Sequence, residues 1–177
     1  MSQRELLGTL ILLIVGGTDT TRNSMTGGVY FLNQWPGEYK KVRRDRALIP
    51  NLVSEIIRYQ TPLAYMRRRA LSDIEIRGKT IRRGDKVALW YVSGNRDQSA
   101  IPEADRFWID RPDVRQHLSF GFGIHRCVGN RLAELQLRVL WEELLKRCSF
   151  VEVVGEPVRT PSSFVTGYLS LPVRIVQ

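Results

Sequence analysis

The sequence predicts a mainly helical protein with small β-sheets, an α+β fold, on three observations. Apolar residues recur at helical spacing over two long stretches, about Arg4–Gln34 and Val128–Arg147. Between and after them lie short β-rich segments punctuated by Gly78 and Gly84. A length of 177 residues suffices for one core, and no linker divides it, so residues 1–177 read as part of a single domain.

The first helix carries Leu6, Leu7, Leu10, Leu13 and Ile14 on one spacing, runs on through Val29, Tyr30 and Leu32, and stops before Pro36. A short helix is expected over Gly37–Arg44. Pro50 suits the start of a third, which ends before Pro62. Strands are expected over Ala64–Arg69, Ile74–Arg77 and Lys86–Trp90, and again over Phe150–Val154 and Phe164–Val176. Asn95–Gln116 reads as irregular, and a loop of that length is either functional or tightly packed. The second long helix places Leu132, Leu135, Val139, Leu140 and Leu144 on one spacing.

The net charge of +9 raises nucleic acid as a partner. Lys40, Lys41, Arg43, Arg44 and Arg46 cluster, as do Arg67, Arg68 and Arg69, yet no nucleic-acid motif or interleaved aromatics accompany them, and the reading is no nucleic acid. The apolar run Leu10–Val15 falls far short of the ~20 residues that span a bilayer, and no signal-peptide organisation is present. Two cysteines, Cys127 and Cys148, suit a reducing cytoplasm, with Cys148 an inert core or strand residue.

Most of the chemistry sits in Phe120-Gly121-Phe122-Gly123-Ile124-His125-Arg126-Cys127-Val128-Gly129. Glycines let the backbone turn tightly and let a bulky planar ligand approach. Cys127 falls where the second long helix is expected to start, and free N–H groups with the positive end of the helix dipole favour thiolate there. Such a thiolate is a metal ligand or a nucleophile. A zinc site needs about four N/S ligands. His117, His125, Cys127 and Cys148 supply no C-x-x-C pair. A cysteine phosphatase needs an arginine further past the cysteine, where Ala133 stands, and no protease signature surrounds Cys127.

Two further motifs precede the loop. Gly16-Gly17-Thr18-Asp19-Thr20-Thr21 lies within the first helix, where each glycine costs about 1 kcal/mol relative to alanine. The pair leaves room for a ligand against the backbone. Thr20 can bond the carbonyl of Gly16 and bend or open the helix, with Asp19 beside it as an acid–alcohol pair. Glu55-Ile56-Ile57-Arg58 puts an acid and a base three residues apart on one helix face.

Taken in order, the three motifs resemble those of the cytochrome P-450 monooxygenases, and the chain resembles the C-terminal half of that fold. Phe-Gly-x-Gly-x-His-x-Cys-x-Gly is similar to the family's haem-binding loop. The resemblance implies haem b, with Cys127 as the iron ligand and Phe120, Gly121 and Gly129 packed around it. It implies His125 and Arg68 as partners of the haem propionates. Thr20 and Asp19 are then the pair that steadies dioxygen and relays protons. Glu55 and Arg58 become a structural pair completed by a third basic group, for which Arg106 is preferred and Arg111 is second. Substrate-lining positions fall on Leu12, Val15, Gly16, Leu63, Ala64, Phe164 and Val165, all apolar or small.

The sequence looks most similar to soluble bacterial alkane hydroxylases of this family. That implies terminal hydroxylation of medium-chain alkanes or fatty chains, with O2 and with electrons from NAD(P)H through a ferredoxin reductase and a ferredoxin. Arg115, Arg126, Arg131 and Arg138 are expected to form a positive docking face for the acidic ferredoxin. Because only half of the family's domain is matched, the alternative is a truncated, catalytically inactive haem-binding remnant.

Overall fold

A computed structural model describes residues 1–177. Helix α1 spans Gln3–Gln34 and opens on a capping box, in which the Ser2 hydroxyl accepts from the Glu5 N–H and the Glu5 carboxylate accepts from the Ser2 N–H. Residues 3–19 are exposed on every side, and α1 enters the core only from Thr21 onward. Helix α2, Pro36–Arg44, takes proline at its first position, where a missing N–H is harmless. A 3₁₀ turn, Arg46–Leu48, leads into α3, Ile49–Gln60. That helix ends on Thr61, left-handed at φ 42°, just before Pro62.

The strands correct the sequence reading in detail. Strands β1 (Tyr65–Arg69) and β4 (Lys86–Trp90) pair antiparallel. The segment expected over Ile74–Arg77 is one arm of a hairpin, β2 (Ile74–Ile76) with β3 (Lys79–Ile81). Its two-residue turn, Arg77-Gly78, has both φ angles positive, as tight hairpins require. The second arm was obscured by Lys79 and the Arg82-Arg83 pair that follows it. A four-residue helix, α4 (Tyr91–Gly94), was also not expected.

Asn95–Gln116 is irregular, as read, and tightly packed: Ala104, Phe107, Ile109, Arg111 and Val114 are buried. Helix α5 spans Asn130–Arg147, so Cys127 lies three residues before it rather than at its start. The tail forms β5 (Phe150–Val153), β6 (Val158–Arg159), β7 (Tyr168–Ser170) and β8 (Val173–Val176), paired β5–β8 and β6–β7. The single run expected over Phe164–Val176 is broken by Pro172, which has no N–H for a ladder.

Phe31 and Leu32 of α1, Val42 of α2, Leu52, Ile56 and Ile57 of α3, Leu137, Trp141 and Leu145 of α5, and Phe107 and Ile109 share one core. Gly28 allows α1, α3 and α5 to meet. A Cβ there would stand 2.7 Å from both Ile56 Cδ1 and Trp141 Cζ2. Gly28→Ala is therefore expected to destabilise the fold by about 1–3 kcal/mol, read as a lower urea midpoint. Part of the basic run Lys40–Arg46, in α2 and the turn after it, closes the far end of α5. Arg43 Nη1 donates to the Cys148 carbonyl at 2.7 Å and Arg46 Nη2 to that of Leu145 at 2.8 Å, which satisfies carbonyls that a helix end leaves free. No helix is long and apolar enough to cross a membrane.

Candidate functional site

The cysteine loop is shaped by two left-handed glycines, Gly121 at φ 69° and Gly123 at φ 71°. The Gly121 N–H donates to the Leu118 carbonyl, and the Cys127 N–H returns to the Phe120 carbonyl at 2.8 Å. A side chain at Gly121 would press on the Tyr91 hydroxyl, 3.0 Å from its Cβ. These bonds fix the Cys127 backbone and leave its thiol exposed and unpaired by any disulfide. The N–H groups of Val128, Gly129 and Asn130 donate to no protein acceptor, and Gly129 lies beside the sulfur. Free donors beside an exposed sulfur can hydrogen-bond to it when it serves as a ligand.

Exposed apolar side chains flank Cys127 along the loop. Ile124 is 97% exposed and Val128 87% exposed, and Phe122 is exposed beside them. Folded chains seldom present such a cluster to water without something to cover it. His125, in the 3₁₀ turn Gly123–His125, is exposed and bonds to no protein group. Arg68 is half-buried on β1, opposite Val87, and bonds only to the Arg67 carbonyl, with no carboxylate in reach. A soft sulfur donor, an exposed apolar face and two uncommitted bases fit a haem with its iron and its two carboxylates. Three or more metal-ligating side chains gather nowhere, so the donor set suits a metal whose other ligands come from a macrocycle.

Behind the loop, Glu55 and Arg58 are fully buried and bidentate, with both N–O contacts at 2.8 Å. Arg58 also donates to the carbonyls of Asn95, Ala104 and Arg106. The third basic group is Arg111, not Arg106. Arg111 Nε lies 3.2 Å from Glu55 Oε2, and its remaining donors bond the carbonyls of Pro102, Glu103 and Arg106. Arg106 contributes only its carbonyl, while its side chain pairs with Glu103 on the surface at 2.9 Å. The reason is geometric: Arg106 leaves the segment on the solvent side, whereas Arg111 folds back after Ile109 enters the core.

The link from this pair to the loop runs through two residues that sequence reasoning missed. Asn95 is buried; its amide donates to Thr61 Oγ1 and Ser119 Oγ, and its oxygen accepts from the Leu118 N–H at 2.7 Å. Ser119 in turn donates to the Ile57 carbonyl. Neither residue type is diagnostic in a sequence, since Asn and Ser are common in any loop.

His117, which the sequence offers as a metal-ligand type, joins no metal-ligating cluster. Its Nδ1 is buried with no partner, and its ring lies 5.5 Å from that of Phe120. Burial, reinforced by the nearby Arg126, Arg58 and Arg115, pushes its pKa down to about 4 from 6.5. The unfolded chain therefore binds the proton more tightly. Stability from this site is present above pH 6.5 and falls as pH drops toward 4, by about 3 kcal/mol in all. His117→Phe is expected to flatten that limb of a urea-midpoint profile.

On α1, Thr20 Oγ1 donates to the Gly16 carbonyl at 2.6 Å, as expected, and Thr18 does the same to Ile14. The helix nevertheless stays α-helical throughout, so any groove comes from the absent side chains of Gly16 and Gly17 and not from an opened turn. Asp19 does not pair with Thr20. Adjacent helical residues point apart, and Asp19 bonds Arg22 at 3.1 Å on the exposed surface.

Of the expected substrate positions, four are brought together. Leu63 bridges Val165, and the Ala64 N–H donates to the Phe164 carbonyl at 2.8 Å. Leu12, Val15 and Gly16 lie on the exposed part of α1. No hydrogen bond or ion pair joins α1 to the cysteine loop. Three of the four expected docking arginines share one cleft. Arg115 and Arg131 approach Glu134 at 4.0 and 3.6 Å, and Arg138 lines the same cleft. Arg126 is exposed and makes no ion pair.

Comparison with known proteins gives this geometry a family. The family profile described as Cytochrome P-450 matches residues 1–175. Linalool 8-monooxygenase of Pseudomonas putida is 44% identical over 98% of the chain, which covers 42% of that enzyme. A methyl-branched lipid omega-hydroxylase of Mycobacterium bovis is 41% identical over 98% of the chain, 41% of its own length. The solved structure of CYP153D17 from Sphingomonas sp. PAMC 26605 superimposes with a TM-score of 0.96 at 57% identity, over all of this chain and 44% of that one. The chain thus spans less than half the length of these relatives. It belongs to the cytochrome P-450 family.

Proposed function

We propose that residues 1–177 form the C-terminal part of a haem-thiolate monooxygenase domain that hydroxylates an apolar substrate. The observation that carries this reading is the exposed Cys127 thiol, held by left-handed glycines beside free backbone N–H groups. When bound, the haem supplies the oxidising chemistry: with O2, two electrons and two protons, it inserts one oxygen atom into a C–H bond and releases the other as water.

The chain's own residues bind and orient. Cys127 holds the iron through sulfur, and the N–H groups of Val128 and Gly129 temper its charge, which tunes the potential. His125 and Arg68 hold the propionates. Phe120, Gly121 and Gly129 shape the wall beside the sulfur. Gly16 and Gly17 leave space at α1, Thr20 presents a hydroxyl there, and Asp19 passes protons from the surface once released from Arg22. Leu12, Val15, Leu63, Ala64, Phe164 and Val165 line an apolar pocket that excludes water.

The proposed substrates are medium-chain alkanes or fatty chains, attacked at the terminal carbon. In support, one relative is named for an omega-hydroxylation of lipid and another for the 8-oxygenation of linalool. Electrons are proposed to arrive from NAD(P)H through a ferredoxin reductase and a ferredoxin. The ferredoxin docks by its acidic face on Arg126 and the Arg115–Arg131–Arg138 cleft. Octane supplied to the full-length protein with these partners is expected to give 1-octanol; octane recovered unchanged, in a preparation that binds haem, overturns the substrate assignment. A reduced carbon-monoxide difference spectrum tests the site itself, since a protein without an assembled haem site gives no thiolate-type band.

A further inference from the structure

The strongest unexplained surface is the lobe made by β1, the β2–β3 hairpin and β4. Residues 65–90 hold eight Arg or Lys and three Asp or Glu, so five of the chain's nine net positive charges lie there. Arg68 is half-buried and assigned to the haem carboxylates. The other seven, Arg67, Arg69, Arg77, Lys79, Arg82, Arg83 and Lys86, are exposed. None of them makes a salt bridge. The local acids do not neutralise them through side-chain pairs. Asp73 accepts the Arg83 backbone N–H at 2.7 Å and Asp85 that of Arg82 at 2.9 Å, so both are occupied in holding turns.

Exposed aliphatic side chains stand among these cations. Leu71 is 87% exposed, and Ile74 and Ile76 are each 51% exposed. Alternation along the strands puts Ile74, Ile76, Lys79 and Ile81 on one face and Glu75 with Thr80 on the other. The only acid within the hairpin strands therefore points away from the apolar face. Unpaired cations around protruding aliphatics are the pattern that binds an anionic bilayer: the charges are drawn to phosphates while the aliphatics enter the acyl boundary. Nucleic acid is disfavoured because residues 71–86 contain no aromatic on which a base could stack.

We propose that this lobe docks the protein reversibly on an anionic phospholipid surface, with the β2–β3 hairpin as the contact. The inference is independent of the iron chemistry. It would also place the enzyme where apolar substrates accumulate.

The test is co-sedimentation of the 177-residue chain with vesicles of phosphatidylcholine plus phosphatidylglycerol, against phosphatidylcholine alone. Binding is expected to the mixed vesicles only and to weaken with salt. Lys79→Glu/Arg83→Glu is expected to lower the partition coefficient at least ~25-fold, from about fivefold per cation. Lys40→Glu/Arg44→Glu makes the same change in net charge on α2 and is expected to lower it far less. Leu71→Ser, outside any strand, is expected to weaken binding without touching charge or fold. Equal losses in the two charge variants, no preference for phosphatidylglycerol, or an unaffected Leu71→Ser would each overturn the proposal. So would duplex DNA bound as tightly as the vesicles and insensitive to Leu71→Ser.

Discussion

Cys127→Ala is expected to abolish the thiolate-type band in the reduced carbon-monoxide difference spectrum, and with it all hydroxylated product. The loop offers no substitute donor. Cys148 caps the opposite end of α5, and His125, the nearest nitrogen donor in sequence, is separated from Cys127 by one residue and is the proposed partner of a haem carboxylate. An alanine methyl would meet the same free N–H groups of Val128, Gly129 and Asn130 and give them nothing to stabilise. Because the Cys127 backbone is held by its bond to the Phe120 carbonyl, the loop should keep its shape, and the loss should be of ligation and not of folding. A thiolate-type band that survives the substitution would assign the iron to another atom.

The second large effect concerns stability. Arg58→Met is expected to destabilise the fold by about 3–5 kcal/mol, because it leaves the buried Glu55 carboxylate short of its bidentate partner. It also strips donors from the carbonyls of Asn95, Ala104 and Arg106. Arg111→Met should act in the same direction, since Arg111 holds the same carboxylate. Arg106→Met should leave the urea midpoint nearly unchanged, because its side chain meets only Glu103 and the face of Trp108 at the surface. A fall for Arg106→Met equal to that for Arg111→Met would reverse the assignment of the third basic group.

The helices were legible because their signals are local. Spacing of apolar residues, Pro36, Pro50 and the break at Pro62 set α1, α2 and α3 to within a residue or two. The glycine loop and the Glu55–Arg58 pair were likewise visible as short motifs. What stayed hidden depends on the path of the chain. Nothing local says which of Arg106 and Arg111 folds inward, and that is settled by where Phe107 and Ile109 enter the core. Gly16-Gly17 stands out in the sequence as a mid-helix cost, yet the pair with close neighbours is Gly27-Gly28, about three turns later. A glycine's environment cannot be read without knowing what packs on it. The start of α5 was misjudged by two residues because Val128 is apolar and fits the helical spacing while lying outside the helix.

The seam between the end of α3 and the tail segment has a practical meaning for engineering. Thr166 donates to the carbonyls of Gln60 and Thr61, Gln60 Nε2 returns a bond to the Thr166 carbonyl at 2.7 Å, and the Thr166 N–H reaches Pro62. Two stretches a hundred positions apart are thereby stitched into one unit that carries Leu63, Ala64, Phe164 and Val165. Chimeras assembled from related enzymes should inherit both stretches from a single parent. A crossover that separates them would mix two mismatched halves of the same wall.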